Sequence, residues 1–277
     1  MYDEDVTSPL ELRDLAIDLA QSAGELIRRT RPQVVQVLET KTSEVDPVTA
    51  MDKAVEEYLV GRILAARPDD GILGEEGNSI DSKSGYTWVI DPIDGTVNYL
   101  YGVASYAVSV AVVTGPVNPL EWDVIAGAVH AVVWNKTWAA AKGYGATVDG
   151  RPIGSVDPPP LAQSLVATGF GYEKHRRAGQ IETLAAIIEH IRDIRRLGSA
   201  AIDLCLQAEG IVDIYYERGL QPWDMAAGTL IAAEAGSTVC GLRGARASGT
   251  MTVVGRGEAV PELIGLLEAA EADHPDK

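Results

Sequence analysis

Leu12, Leu15, Ala16, Leu19, Ala23 and Ile27 recur three or four positions apart, which puts them on one stripe of a helix. Ser8-Pro9-Leu10-Glu11 supplies a start signal for it, with Ser at the N-cap, Pro at the first helical position and Glu at the third. Pro32 ends it. A second helix is predicted to open at Pro47 and Thr49, to bury Val55, Leu59 and Ile63, and to stop before Pro68. The next third changes period. Tyr86 to Ile90, Tyr106 to Val113, Val124 to Val133 and Thr137 to Ala141 are short β-favouring runs separated by Gly, Pro and Asn, and Gly143 to Ile153 carries the Asp-Gly signal of a hairpin.

Asp157-Pro158-Pro159-Pro160 is a stiff, extended segment and the strongest linker candidate. Beyond it strands alternate with helices. Leu165 to Thr168, Val212 to Tyr216, Val239 and Thr250 to Val254 read as strands. Gln180 to Ile191, Ser199 to Glu209, Pro222 to Ala235 and Glu258 to Ala270 read as helices. No internal repeat or low-complexity tract interrupts them. The pattern predicts layered sheets and helices in two halves, 1–155 and 156–277, forming one compact unit with a site between them.

Length and composition change this picture little: 277 residues can bury a sizeable core, and 46% apolar with 23% charged residues is ordinary for a globular chain. No apolar run is long enough to span a bilayer, and the acidic start MYDEDVTSP has no signal-peptide layout. Cys205 and Cys240 form no C-x-x-C pair, so they read as two reduced, buried thiols in a cytoplasmic protein. The formal net charge of −17 matters more. It repels nucleic acid and anionic lipid, and would repel a phosphorylated metabolite too, unless bound cations or helix N-termini invert the local sign.

The segment Trp88-Val-Ile-Asp91-Pro92-Ile93-Asp94-Gly95-Thr96-Val97-Asn98-Tyr99 offers such an inversion. Asp91 is expected at the end of a buried strand, with Pro92 stiffening the turn. Two carboxylates three residues apart can converge on a hard cation, which prefers oxygen ligands. The amides of Gly95 and Thr96 follow at a helix start suited to phosphate. By itself Asp-x-x-Asp is as well explained as a turn, Asp52 as part of a capping box with Thr49, Asp224 as a helix cap and Gly74-Glu75-Glu76-Gly77 as a solvated turn. Their joint occurrence favours a metal site. His130, His175, His190 and His274 form no zinc pattern, and His130 reads as a core or edge histidine. G-x-S-x-G and G-x-x-x-x-G-K-[ST] motifs are absent. Arg176-Arg177 and Arg195-Arg196 read as solvated faces or ion-pair partners rather than substrate clamps.

Taken in order, these segments resemble the inositol monophosphatases, within the magnesium-dependent, lithium-sensitive phosphatases. Lys41-Thr-Ser with Asp46-x-Val48-Thr49-x-x-Asp52 is similar to the family's mobile segment and following helix, Gly74-Glu75-Glu76 to its second motif, and Asp91-Pro-Ile-Asp-Gly-Thr96-x-Asn98-Tyr99 to its signature. Gly198-Ser-Ala-Ala201, Tyr215-Tyr-Glu217 and Trp223-Asp224-x-Ala-Ala227-Gly228 resemble its C-terminal motifs. The resemblance implies an α/β (α+β) fold, a layered αβαβα sandwich of the inositol monophosphatase / fructose-bisphosphatase type, commonly a homodimer. It implies two or three Mg2+ ions. Glu75, Asp91 and the Ile93 carbonyl would hold one, Asp91, Asp94 and Asp224 a second, and Glu75 would help with a third. Thr96 paired with Asp52 would orient a water for in-line attack on phosphorus, and Gly95 and Thr96 would receive the phosphate. Glu217 and Ala200 would contact an inositol ring, favouring myo-inositol monophosphate. Histidinol phosphate is the alternative substrate, and a regulatory binding protein on the same fold is the alternative class. Tyr101 stands where many members have His, and Gly171 where many have Pro.

Overall fold

The computed structural model describes residues 7–40, 47–154, 156 and 158–274. Lys41–Ser43, Asp46 and Asp157, used in the motifs above, lie outside the described residues. In chain order the elements are α1 (Pro9–Thr30), β1 (Val37–Thr40), β2 (Pro47–Thr49), α2 (Ala50–Ala66), β3 (Gly71–Gly74), β4 (Ser79–Ile80), β5 (Tyr86–Asp94) and α3 (Thr96–Tyr101). Then come β6 (Ala107–Thr114), β7 (Asp123–Ala131), β8 (Lys136–Ala141), β9 (Ala146–Val148) and β10 (Arg151–Ile153). The second half runs β11 (Leu165–Thr168), α4 (Lys174–Ile187), β12 (Asp193–Arg195), α5 (Ala200–Glu209), β13 (Ile214–Glu217), α6 (Pro222–Glu234), β14 (Thr238–Cys240), β15 (Thr252–Gly255) and α7 (Ala259–Ala269).

Two main sheets and three helical layers alternate, and β1 pairs with β2 in a separate two-stranded sheet. The larger sheet has the order β10-β9-β8-β7-β6-β5-β3-β4, antiparallel except for the β3–β5 pair. Its strands alternate faces with period two. Trp88, Ile90, Val108 and Val110 bury against α1 and α2, while Val89, Ala107, Ala111 and Val129 face α5 and α6. The smaller sheet, β12-β11-β13-β15-β14, turns Tyr215 and Val254 to that same α5–α6 layer. Its other face, with Val166, Ile214 and Val253, packs on α4 and α7. Helices α5 and α6 are therefore buried on nearly all sides, as a layer between two sheets must be. This is the αβαβα sandwich.

The predicted caps form as expected. Ser8 and Glu11 make a capping box at α1, and Thr49 with Asp52 makes one at α2. The hairpin turn has Asp149 and Gly150 at positive φ (48° and 75°), the two-residue geometry that matches strand twist. Several boundaries move by a residue or more, and three of the shifts are informative. Pro47 belongs to β2, so Thr49 caps α2 without it. Helix α4 begins at Lys174 instead of Gln180 and gives way to a 3₁₀ turn at Ile188, because its first turn is polar and carries no apolar period to read. Strand β5 continues past Ile90 to Asp94, with functional consequences described below. Cys205 is buried and free, but Cys240 is only half-buried, on edge strand β14. Pro158 does not float as a spacer; it lies beside the Gly257 turn. Among the described residues no helix is long and apolar enough to cross a membrane.

His130 on β7 is a core residue. Its Nδ1 pairs with Thr137 Oγ1 at 2.9 Å, its Nε2 has no partner, and its ring fills the space a Cβ at Gly24 of α1 would need. Burial, then the nearby Arg28 charge, lower its pKa to about 4. A histidine whose folded pKa lies below its unfolded value leaves stability intact above about 6.5 and erodes it as pH falls from there toward 4. The shift corresponds to at most about 3 kcal/mol. Urea unfolding at pH 7 and pH 4.5 is expected to show a larger acid-side loss in the wild type than in His130→Met. The difference between the two proteins isolates the imidazole from the carboxylates, and equal losses would exclude this origin.

Candidate metal and phosphate site

The site begins with a defect in a strand. Residues three apart on a regular strand point to opposite faces, so Asp91 and Asp94 could not meet. Pairing with β6 runs Asp91↔Ser109 and then Asp94↔Ala107, so β5 carries one extra residue across that interval. The bulge returns Asp94 to the face of Asp91. Pro92 fits there because an irregular stretch does not ask it for an amide donor. The Asp91 carboxylate accepts from the Ile93 amide at 3.0 Å, which closes the bulge.

Asp224 reaches the same point from the other half. It sits at the third position of α6, where its carboxylate accepts from the Gln221 amide at 2.7 Å. The Trp223 carbonyl accepts from Ser109 Oγ at 3.2 Å, tying the helix start to β6. One carboxylate oxygen from each of Asp91, Asp94 and Asp224 lies within 4.8 Å of the others. Glu75 lines the same cavity from the turn after β3. That turn is clamped by buried Glu56, which accepts from the amides of Glu76 (2.8 Å) and Asn78 (3.0 Å).

Gathered acids of this kind repel one another. Burial, then Glu75, Asp94 and Asp224, push Asp91 well above the usual carboxylate range. Burial, then Asp94 and Glu75, do the same to Asp224. Asp94 rises to about 6 through burial, held down by hydrogen bonds from Ser199 Oγ (2.6 Å) and the Ala201 amide (2.7 Å). A divalent cation would relieve this strain. The donors are all oxygen, with no histidine or thiolate among them, which suits a hard ion such as magnesium, manganese or calcium.

Next to the acids, Gly95 takes a left-handed conformation (φ 97°) that hands the chain from β5 to α3. A Cβ there would lie 2.9 Å from the Ser105 carbonyl, so glycine is required on two counts. Thr96 Oγ1 is 3.1 Å from both Asp52 Oδ1 and the Ile93 carbonyl. Asp52 does not line the cavity; it stands behind Thr96, held by the Thr49 amide at 2.8 Å and by the Thr49 hydroxyl. Asn98 donates to the carbonyls of Ser105 (2.6 Å) and Leu197 (2.7 Å), fastening α3 to the second half.

The cavity holds about 460 Å³, within the roughly 300–1,000 Å³ of small-molecule sites. Glu75, Asp91, Ile93, Asp94, Gly95, Thr96, Ala200, Glu217 and Asp224 all line it. Glu217 accepts from Tyr215 Oη at 2.7 Å, and burial raises it to about 7. A Cβ at Gly169 would collide with its carboxylate. The structure adds residues that the pattern did not single out. Arg218 lines the cavity, and so do Arg176 and Arg196, which were expected on solvated faces or as ion-pair partners; Arg176 does pair with Glu173, at 3.4 Å. Nothing in a basic pair signals whether it faces water or a cleft. Asp203 of α5 also lines it, buried with Oδ1 unpartnered and its pKa raised by burial and then by Glu217. Its helical position within an apolar run was the available signal.

Residues 9–272 match the model of the inositol monophosphatase family. Inositol-1-monophosphatase SuhB of Mycobacterium tuberculosis is 42% identical over 266 residues, covering 89% of each chain. The Nus factor SuhB of Xylella fastidiosa is 35% identical over 237 residues, covering 84% of this chain and 83% of its own. The solved structure of Mycobacterium tuberculosis SuhB superposes with a TM-score of 0.79 at 40% identity, over 97% of this chain and 100% of that one.

Proposed function

The chain belongs to the inositol monophosphatase family, and we propose that it hydrolyses a small phosphate monoester with magnesium, myo-inositol monophosphate foremost, to the free alcohol and phosphate. The observation that carries this reading is the convergence of three carboxylates from both halves of the chain within 4.8 Å, in a cavity that also presents Thr96. Residues 1–155 and 156–277 act as the two halves of one catalytic unit.

Glu75, Asp91, the Ile93 carbonyl, Asp94 and Asp224 would hold two or three magnesium ions. When bound, magnesium supplies charge neutralisation of the phosphate, a lowered pKa for the attacking water and stabilisation of the leaving alkoxide. The amides of Gly95 and Thr96, at the start of α3, receive phosphate oxygens. Thr96 donates its hydroxyl proton to Asp52, which leaves its lone pairs free to accept from a water aligned with phosphorus. Glu217 and Ala200 lie on the leaving-group side, where a carboxylate fixed by Tyr215 accepts from a ring hydroxyl. Lithium inhibition and a homodimer are expected of such a member.

A second reading, a regulatory binding protein, is prompted by relatives named Nus factors. The intact carboxylate set argues for chemistry first. Ranking kcat/KM for inositol monophosphate, histidinol phosphate and a 3′-phosphonucleotide separates these readings. Inositol monophosphate is expected to lead. A lead for histidinol phosphate would overturn the substrate, and no turnover in folded, metal-supplied protein would favour the binding role.

A further inference from the structure

The turn that carries Glu75 is held from beneath. Strands β3 and β4 pair over two residues, Ile72↔Ile80 and Leu73↔Ser79, at the edge of the larger sheet, and both residues of β4 are exposed. Hairpins this short and exposed fray easily. Yet this one keeps Glu75 on the cavity wall near Asp91, where the two carboxylates repel. Backbone bonds supply part of the hold: the Gly74 amide donates to the Asn78 carbonyl at 2.8 Å, and the Glu75 amide to the Ile90 carbonyl at 3.2 Å.

Glu56, fully buried on α2, supplies an anchor from the interior. One of its oxygens accepts from the Glu76 amide at 2.8 Å. The other accepts from the Asn78 backbone amide at 3.0 Å and from its side-chain amide at 2.8 Å. Donors converging in this way call for an acceptor-only group, which a carboxylate is. Gly74 makes way for it, since a Cβ there would stand 2.5 Å from the Glu56 carboxyl carbon. Asp52 lies one helical turn before Glu56, also buried on α2. The same helix therefore supports both Thr96 and the Glu75 turn, each through a carboxylate outside the cavity lining. A turn needed only to join two edge strands gains little from a buried carboxylate, which is costly to desolvate. A turn that holds a metal ligand against its neighbours' repulsion gains preorganisation.

We propose that Glu56 is a positioning residue for the metal site: it fixes the Glu75 turn in the cation-binding conformation, so that magnesium affinity depends on a residue outside the cavity. This rests on the phosphatase reading above, in which Glu75 is a metal ligand.

Melting of chelator-stripped protein as magnesium is added back, without substrate, reads that affinity, because a ligand of the folded state raises the midpoint with its concentration. Glu56→Gln puts a donor where an acceptor is needed, and Gly74→Ala displaces the carboxylate without removing it. Each should raise the magnesium concentration needed for a given midpoint rise by about 10–100-fold, the range for groups that support a metal ligand. The concentration for half-maximal phosphate release should rise by a similar factor. Asn78→Ala, which removes a single donor, should shift both in the same direction by less, and it keeps the test decisive where the other two fail to fold. A merely structural role would lower the metal-free midpoint and leave the magnesium dependence where the wild type has it, and that result would overturn the proposal. A wild type whose midpoint ignores magnesium would instead overturn the metal reading itself, and the positioning role with it.

Discussion

Asp91→Asn is expected to lower phosphate release by well over 100-fold and, in chelator-treated protein, to raise the unfolding midpoint. Even residues that only support a metal ligand are worth about 10–100-fold when changed, so a residue that would itself ligate the metal should exceed that range. The opposite effect on stability follows from electrostatics. Asp91 is buried beside Glu75, Asp94 and Asp224, and its folded pKa is raised well above 3.8. A raised carboxylate leaves folding unaffected below its unfolded pKa and opposes it increasingly as pH rises through its folded one. Asparagine removes that charge but keeps an oxygen to accept from the Ile93 amide and an amide to donate toward Glu75. Melting in chelator should therefore show no gain near pH 4 and a growing gain toward pH 8, which magnesium abolishes by stabilising the wild type. A variant that melts below the wild type at pH 8 in chelator would show that the acids are not strained against one another.

Asp52→Asn is the second large effect. General-base assistance contributes about 10²–10⁴-fold, so kcat should fall within that range with KM almost unchanged. Asp52 is not among the residues that line the cavity, which is what makes the outcome diagnostic. Its link to the chemistry is the hydroxyl of Thr96, 3.1 Å away. Because Asp52 also caps α2, a stability loss of about 1 kcal/mol is expected alongside, too small to unfold the protein. Thr96→Ser should retain most activity and Thr96→Val should match the Asp52→Asn loss. Normal kcat in Asp52→Asn would remove the dyad from the mechanism.

The layers were legible in the sequence because burial there follows simple periods. Leu12 to Ile27 mark one helical face, and the alternation through β6 and β7 divides cleanly between two helical layers. The identities of the carboxylates were also legible, as turn and cap residues that recur at element ends. Their convergence was expected too, from a turn after the strand, but its means was not: β5 runs on through Asp94. The convergence depends on the bulge between Asp91 and Asp94, which returns both to one face. It depends equally on Asp224 crossing from the second half, which a resemblance could suggest but periodicity could not. The arginine pairs were read as solvated faces or ion-pair partners, and their place on the cavity wall was missed, for a related reason. Strand β12 is a three-residue edge strand, Asp-Ile-Arg, too short and polar to register. The helix presenting Arg176 begins with Lys-His-Arg-Arg, which looks like any solvated turn. A residue's facing is a property of the loops around it, and those loops are fixed here by long-range contacts such as Gln180 to Arg218.

Phosphate release from inositol 1-phosphate by chelator-stripped protein, followed as magnesium is added back, tests the central claim most directly. Background release at the start and saturable recovery with magnesium is the expected result, with no recovery in Asp91→Asn. Full activity that survives stripping, or recovery that Asp91→Asn shares, would contradict a metal-dependent site built on these carboxylates.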